Sequence, residues 1–125
     1  MKREGVLQDE IIQFLVDRNI WYLNLLAGTT RAGIPDILVC HGGWFIGLEL
    51  KRPGGAYKPT FIQKRNLKEI TENGGLAAVV YSVQFVERLF NCIDRNDGDG
   101  LRTLGWRTKG DKELYDRTWS EEGLW

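Results

Sequence analysis

Between Asp36 and Lys51 the chain reads DILVCHGGWFIGLELK, two extended apolar runs on either side of His41-Gly42-Gly43. Runs this rich in Ile, Val, Leu, Trp and Phe around a glycine turn predict an antiparallel hairpin, the feature that most limits the possible folds. Side chains alternate along a strand, so Phe45, Gly47, Glu49 and Lys51 share one face, and Ile46, Leu48 and Leu50 the other. The turn lies nearly midway between Asp36 and Glu49, which brings Asp36, at the start of one strand, beside the end of the next. The hairpin therefore gathers Asp36, Glu49 and Lys51 at one end of the sheet, inside otherwise apolar strands.

The flanking sequence supplies the rest of a core. Residues 4–18 predict a helix, with Leu7, Ile11, Phe14 and Leu15 at helical spacing and Glu10 on or beside that apolar stripe. Residues 20–26 predict a strand, and GTTRAGIP a loop whose Pro35 forces an extended entry into the hairpin. RPGGAYKP, residues 52–59, reads as a flexible loop. Residues 60–73 predict a helix, opened by a Thr60/Gln63 capping box and closed by Asn73-Gly74-Gly75. Gln63, Leu67 and Ile70 fall on its inward face. Residues 76–82 predict a strand buried on both faces, and residues 84–93 a second core helix. The order α-β-β-β-α-β-α predicts an α/β fold, a mixed central β-sheet flanked by helices. Residues 94–125 are polar, with Trp106, Trp119 and Trp125 at no regular period; they are expected to pack on the core or on a partner subunit. NDGDG within them does not fit an EF-hand loop and reads as a turn.

At 125 residues and 42% hydrophobic content, one domain with one core is expected. No apolar run approaches a membrane span, and the acids of MKREGVLQDE do not suit a signal peptide, so the expectation is cytoplasmic. Cys40 and Cys92 are then expected to be reduced, buried thiols, too few with His41 for a zinc site. Net charge is zero, but Arg52, Lys58, Lys64, Arg65 and Lys68 follow the hairpin with no acid among them. Such a local basic surface suits phosphates even on a neutral protein.

Two carboxylates brought together repel unless a cation lies between them, and oxygen ligands suit Mg²⁺ or Mn²⁺. Asp36 and Glu49 are the candidate metal ligands, with the backbone carbonyl of Leu50 as a further one. Lys51 beside them can orient or help deprotonate a water, or stabilise charge building on a phosphate. The pattern points to metal-dependent hydrolysis of a phosphodiester.

At these residues the chain resembles the PD-(D/E)xK nuclease superfamily: Pro35-Asp36 matches its PD half and Glu49-Leu50-Lys51 its ExK half. It is most similar to the VRR-NUC family, through Glu10, Gly33-Ile34-Pro35-Asp36, the apolar run into Glu49-Leu50-Lys51, and Gln63. The likeness covers roughly residues 4–93, giving a nuclease domain at 1–93 and an extension at 94–125. The resemblance implies a restriction-endonuclease-like core. It makes Asp36, Glu49 and the Leu50 carbonyl metal ligands and Lys51 the catalytic lysine. Glu10 becomes an additional acid acting on metal through water or at a second metal site, and Gln63 a polar member of the site; each also reads as a satisfied buried polar group. Small stand-alone relatives occur in phages and bacteria and resemble Holliday-junction resolvases in acting as homodimers. A DNA endonuclease acting on branched DNA is therefore expected. The alternatives are a non-catalytic DNA-binding or assembly protein, and a nuclease acting on plain duplex DNA or RNA. Thr29, Thr30, Arg31, Arg52, Lys58, Lys64 and Arg65 are candidate phosphate contacts, and Tyr57 reads as a base-stacking group or as packed on its own loop. The helix at 84–93 and the tail tryptophans are candidates for a dimer surface.

Overall fold

The computed structural model describes residues 4–25, 32–51 and 60–97. In chain order they form α1 (Glu4–Asp17), β1 (Trp21–Asn24), β2 (Ile37–His41), β3 (Trp44–Leu50), α2 (Phe61–Glu72), β4 (Leu76–Val80) and α3 (Val83–Asp94). This is the expected element order, with boundaries shifted by a residue or two. The strands make one mixed sheet in the order β1-β2-β3-β4. β1, β2 and β3 are antiparallel, whereas β4 lies parallel to β3. The parallel pair follows from the α2 crossover, since parallel neighbours cannot be joined by a tight turn. Among the described residues no helix is long and apolar enough to cross a membrane.

The hairpin closes through Gly42 and Gly43, at φ 60 and 83, between the paired residues His41 and Trp44. Both positions need the left-handed region that glycine adopts at no steric cost, and this two-residue turn sets the β2–β3 register. Ile37 then pairs with Leu48, so Asp36 falls opposite Glu49.

The two sheet faces are covered unequally. Ile37, Val39, Ile46, Leu48, Leu50, Leu76, Ala78 and Val80 pack with Leu7, Ile11, Phe14 and Leu15 of α1 and Val86, Leu89, Phe90, Cys92 and Ile93 of α3. Each fully buried aliphatic or aromatic side chain here contributes roughly 1.5–3 kcal/mol, so this layer carries most of the folding energy. On the other face α2 packs Leu67 and Ile70 against Ala77 and Val79. β4 is thus covered on both sides, as its unbroken LAAVV run requires.

Two expectations change. Cys40 is exposed, and only Cys92 is buried. Alternation puts Cys40 on the α2 face beside exposed Phe45, away from the α1/α3 layer that covers Val39. The apolar face of α3 is used inside its own chain, with Val86, Leu89, Phe90, Cys92 and Ile93 buried in the core. α3 also runs one residue past the expected boundary at 93, and Asp94 hydrogen-bonds His41 at the hairpin end. Residues 94–97 therefore belong with the core, and residues 98–125 lie outside the described residues.

Candidate active site

Asp36 and Glu49 face each other across β2 and β3, on the sheet face that α2 covers. Asp36 is fixed by its own hairpin: its Oδ2 accepts a 2.8 Å hydrogen bond from the Leu50 amide. Glu49 is 1% exposed, although it is a carboxylate. Its Oε2 accepts from Gln63 Nε2 at 3.2 Å and lies 3.5 Å from Lys51 Nζ. Its Oε1 is buried with no hydrogen-bond partner among the described residues. Native proteins rarely leave such an atom unsatisfied, and an oxygen of this kind is suited to a ligand.

Electrostatics follow from this placement. Burial first, and then repulsion from Asp36, push the Glu49 pKa up from 4.5, and with Lys51 offsetting part of the rise it reaches about 8. Alone, the folded chain favours a neutral Glu49 below that pH. A positive ion at Oε1 would favour the ionised form instead.

Gln63 ties the cluster together. Its Oε1 accepts from Lys51 Nζ at 3.1 Å and from the Thr60 amide at 2.9 Å, while its Nε2 reaches Glu49. Thr60 Oγ1 in turn accepts from the Gln63 amide at 3.2 Å. The capping box at the start of α2 thus also holds the lysine. A glutamine meets this demand because it carries an acceptor and a donor on one planar head. Lys51 is 8% exposed, and its amide donates to Val80 O at 2.9 Å, extending the β3–β4 pairing past Leu50.

Three less obvious residues set the site's shape. Gly33, at φ 75, brings the chain so close to α2 that a Cβ there would run into Ile62 and Asn66. Asn66, buried on α2, donates to Ala32 O at 3.2 Å and to Ile62 O at 3.0 Å, anchoring the segment that leads into Asp36. Gly47 leaves room for Pro35 and Ile70, whose carbons would lie 3.0 and 2.9 Å from a Cβ placed on it. Asn66 could have been found in the sequence, because it follows Gln63 by three residues on the inward side of α2. The role of Gly47 could not, since it depends on which residues pack over β3.

The structure therefore brings together Asp36, Glu49, Leu50, Lys51 and Gln63. The backbone group of Leu50 seen in contact with this set is its amide, bonded to Asp36. Glu10 sits on α1, which packs in the opposite layer, and it lines an open groove with Gln13, Phe14, Arg18 and Glu87. It is half-buried. Lys64 is half-buried, and exposed Arg65 pairs with Glu69 at 3.3 Å along α2. Thr29, Thr30, Arg31, Arg52, Tyr57 and Lys58 lie outside the described residues. Among the described residues no group of three or more His, Cys, Asp or Glu side chains is placed to hold a metal. The described carboxylates at this site are two, the number with which a Mg²⁺ ion commonly retains several waters. No family model, curated protein or solved structure matches the chain.

Proposed function

We propose that this chain is a Mg²⁺- or Mn²⁺-dependent endodeoxyribonuclease with a restriction-endonuclease-like core, similar to the VRR-NUC family. The observation that carries the reading is buried Glu49, opposite Asp36 and with Oε1 unsatisfied. Two carboxylates buried side by side need a positive charge or a shared proton between them, and a bound cation supplies the first. Asp36 and Glu49, with the Leu50 carbonyl, would hold the ion. When bound, the ion supplies Lewis-acid activation of a phosphate oxygen and lowers the pKa of a water.

The chain's own residues supply the rest. Gln63 holds Lys51 Nζ beside Glu49, where the ammonium can orient a water or balance charge developing on a phosphate. Water adds to phosphorus, one P–O bond breaks, and the departing oxygen takes a proton. Glu10 would act on metal through water or at a second metal site. Arg31, Arg52, Lys58, Lys64 and Arg65 would hold neighbouring phosphates. One site cuts one strand, so paired cuts in branched DNA would take a homodimer.

The test is a panel of a labelled four-way junction, a flap and a plain duplex, each with Mg²⁺, Mn²⁺ or EDTA. Metal-dependent cutting, strongest on the branched substrates, is expected. Binding without cutting under every condition would favour a non-catalytic DNA-binding protein, and preference for the duplex or for RNA would reassign the substrate.

A further inference from the structure

Phe61 opens α2 with 79% of its surface exposed, more than any other large apolar side chain among the described residues. The exposure does nothing for the fold. Thr60 and Gln63 already cap the helix, and phenylalanine is a poorer helix former than the residues usual on a solvent-facing turn. A lone exposed ring is ordinary in itself. Its position is what carries meaning.

Gln63 folds its side chain back along α2 until Oε1 meets the Thr60 amide at 2.9 Å, and there it also holds Lys51 Nζ and reaches Glu49. The carboxylate site therefore lies at the N-terminal end of α2. From the Thr60 nitrogen to the next Cα is at most about 5 Å, so Phe61 Cα lies within about 8 Å of the oxygen that holds the lysine. Helical side chains lean towards the helix N-terminus, so at the first position the ring leans past the helix end, on the outer side of the site. Basic residues continue the same surface. Lys64, Arg65 and Lys68 follow Phe61 with no acid before Glu69, and Phe61, Arg65 and Lys68 fall on one stripe at helical spacing. Arg65 pairs with Glu69 at 3.3 Å and Lys68 with Glu72 at 4.0 Å. Surface pairs of this kind are weak and leave both cations usable by a phosphate. An aromatic ring beside a row of cations suits a single-stranded nucleic acid, with a base on the ring and phosphates on the cations.

We propose that Phe61 is a specificity-determining residue of this site: its ring stacks on an unpaired base next to the phosphate held at Asp36 and Glu49. The inference rests on the nuclease reading and adds to it the feature of the substrate that is recognised. In plain duplex each base is covered by its neighbours, and freeing one costs unstacking. A flap or branch already offers an unpaired base. The chain then selects such DNA through one ring, without reading base identity.

Two labelled probes, a plain duplex and the same duplex carrying a single-stranded flap, are titrated with the full chain in EDTA, where no metal-dependent cutting intervenes. The flap is also made with an abasic site at each unpaired position near the junction, which removes the base and keeps the phosphates. The native chain is expected to bind the flap at least about fivefold more tightly than the duplex, the low end of the loss on truncating a stacking aromatic. An abasic site at one of these positions should abolish the preference. Phe61→Ala should lose the same preference, keep the duplex affinity and be indifferent to the abasic site. Phe61→Trp should restore the preference and Phe61→Leu should not, which separates stacking from apolar contact. Because the ring is exposed, all three variants should melt at the native temperature. The absence of a flap preference in the native chain would overturn the proposal. So would a preference that survives in Phe61→Ala, abasic sensitivity that persists in that variant, or rescue by leucine. Cutting is scored separately with Mn²⁺. Cleavage without the Phe61–base coupling overturns the stacking role alone; coupling without cleavage overturns the nuclease reading and leaves Phe61 as a contact of a DNA-binding protein.

Discussion

Replacing Glu49 with glutamine should stabilise the metal-free protein and abolish the proposed metal-dependent cleavage. The folded chain binds the Glu49 proton more tightly than the unfolded chain does. For this group, stability is therefore highest below pH 4.5, falls as pH rises towards about 8, and is level above that. At about 1.4 kcal/mol per pH unit, the loss by pH 7.5 is on the order of 2–4 kcal/mol, the lower figure allowing for relaxation around the charge. Glu49→Gln removes this loss and keeps the shape. Its amide oxygen can still accept from Gln63, and its new amide donor faces the Asp36 carboxylate. At roughly 3–6 °C per kcal/mol for a chain of this size, the variant should melt about 6–24 °C higher than the native protein at pH 7.5 in EDTA. The gap should shrink towards zero at pH 4.5, where Glu49 is neutral in both states. Saturating Mn²⁺ should raise the native melting point and leave the variant's nearly unchanged. Scanning calorimetry at several pH values measures all of this. A variant less stable than the native chain at pH 7.5, or a difference that does not vary with pH, would refute the reasoning.

Lys51→Ala should slow cleavage by about 10²–10⁴-fold while leaving DNA affinity within a few-fold, as single-turnover kinetics and a binding titration would show. Thr60→Ala should cost about 1 kcal/mol of stability through the lost cap. It should also slow cleavage, because Gln63 loses part of the frame that holds Lys51; normal cutting by a destabilised variant would separate the cap from the site. Gly33→Ala forces a side chain into a left-handed position against Ile62 and Asn66. A loss of about 1–3 kcal/mol in denaturant unfolding is expected, together with a weaker metal response from a displaced Asp36.

The site was legible in sequence to the extent that local rules determine it. The Gly42-Gly43 turn sets the hairpin register, and the register alone places Asp36 opposite Glu49. Thr60 and Gln63 announce the start of α2, yet only the α2–β3 packing puts Gln63 within reach of both Lys51 and Glu49. Cys40 is exposed rather than buried because an apolar strand does not declare which face has a partner; that depends on α2 lying over β3 and β4 and leaving β1 and β2 open. The apolar face of α3 goes into the core for a related reason, since the apolar face of an amphipathic helix is first used by its own chain. Glu10 marks a limit of another kind. Its place on the apolar stripe was readable, but its relation to the carboxylate pair depends on how α1 crosses the opposite face.

The central claim is that Asp36 and Glu49 together hold a divalent cation. Isothermal titration of Mn²⁺ into the full chain at about pH 6.5, in buffers of different ionisation enthalpy, tests it most directly. With the Glu49 pKa near 8, each ion bound should displace close to one proton, and the displacement should fade above about pH 9. Glu49→Gln should bind at least about tenfold more weakly and displace no proton. Failure of the native chain to bind Mn²⁺, or binding without proton release at pH 6.5, would contradict the account.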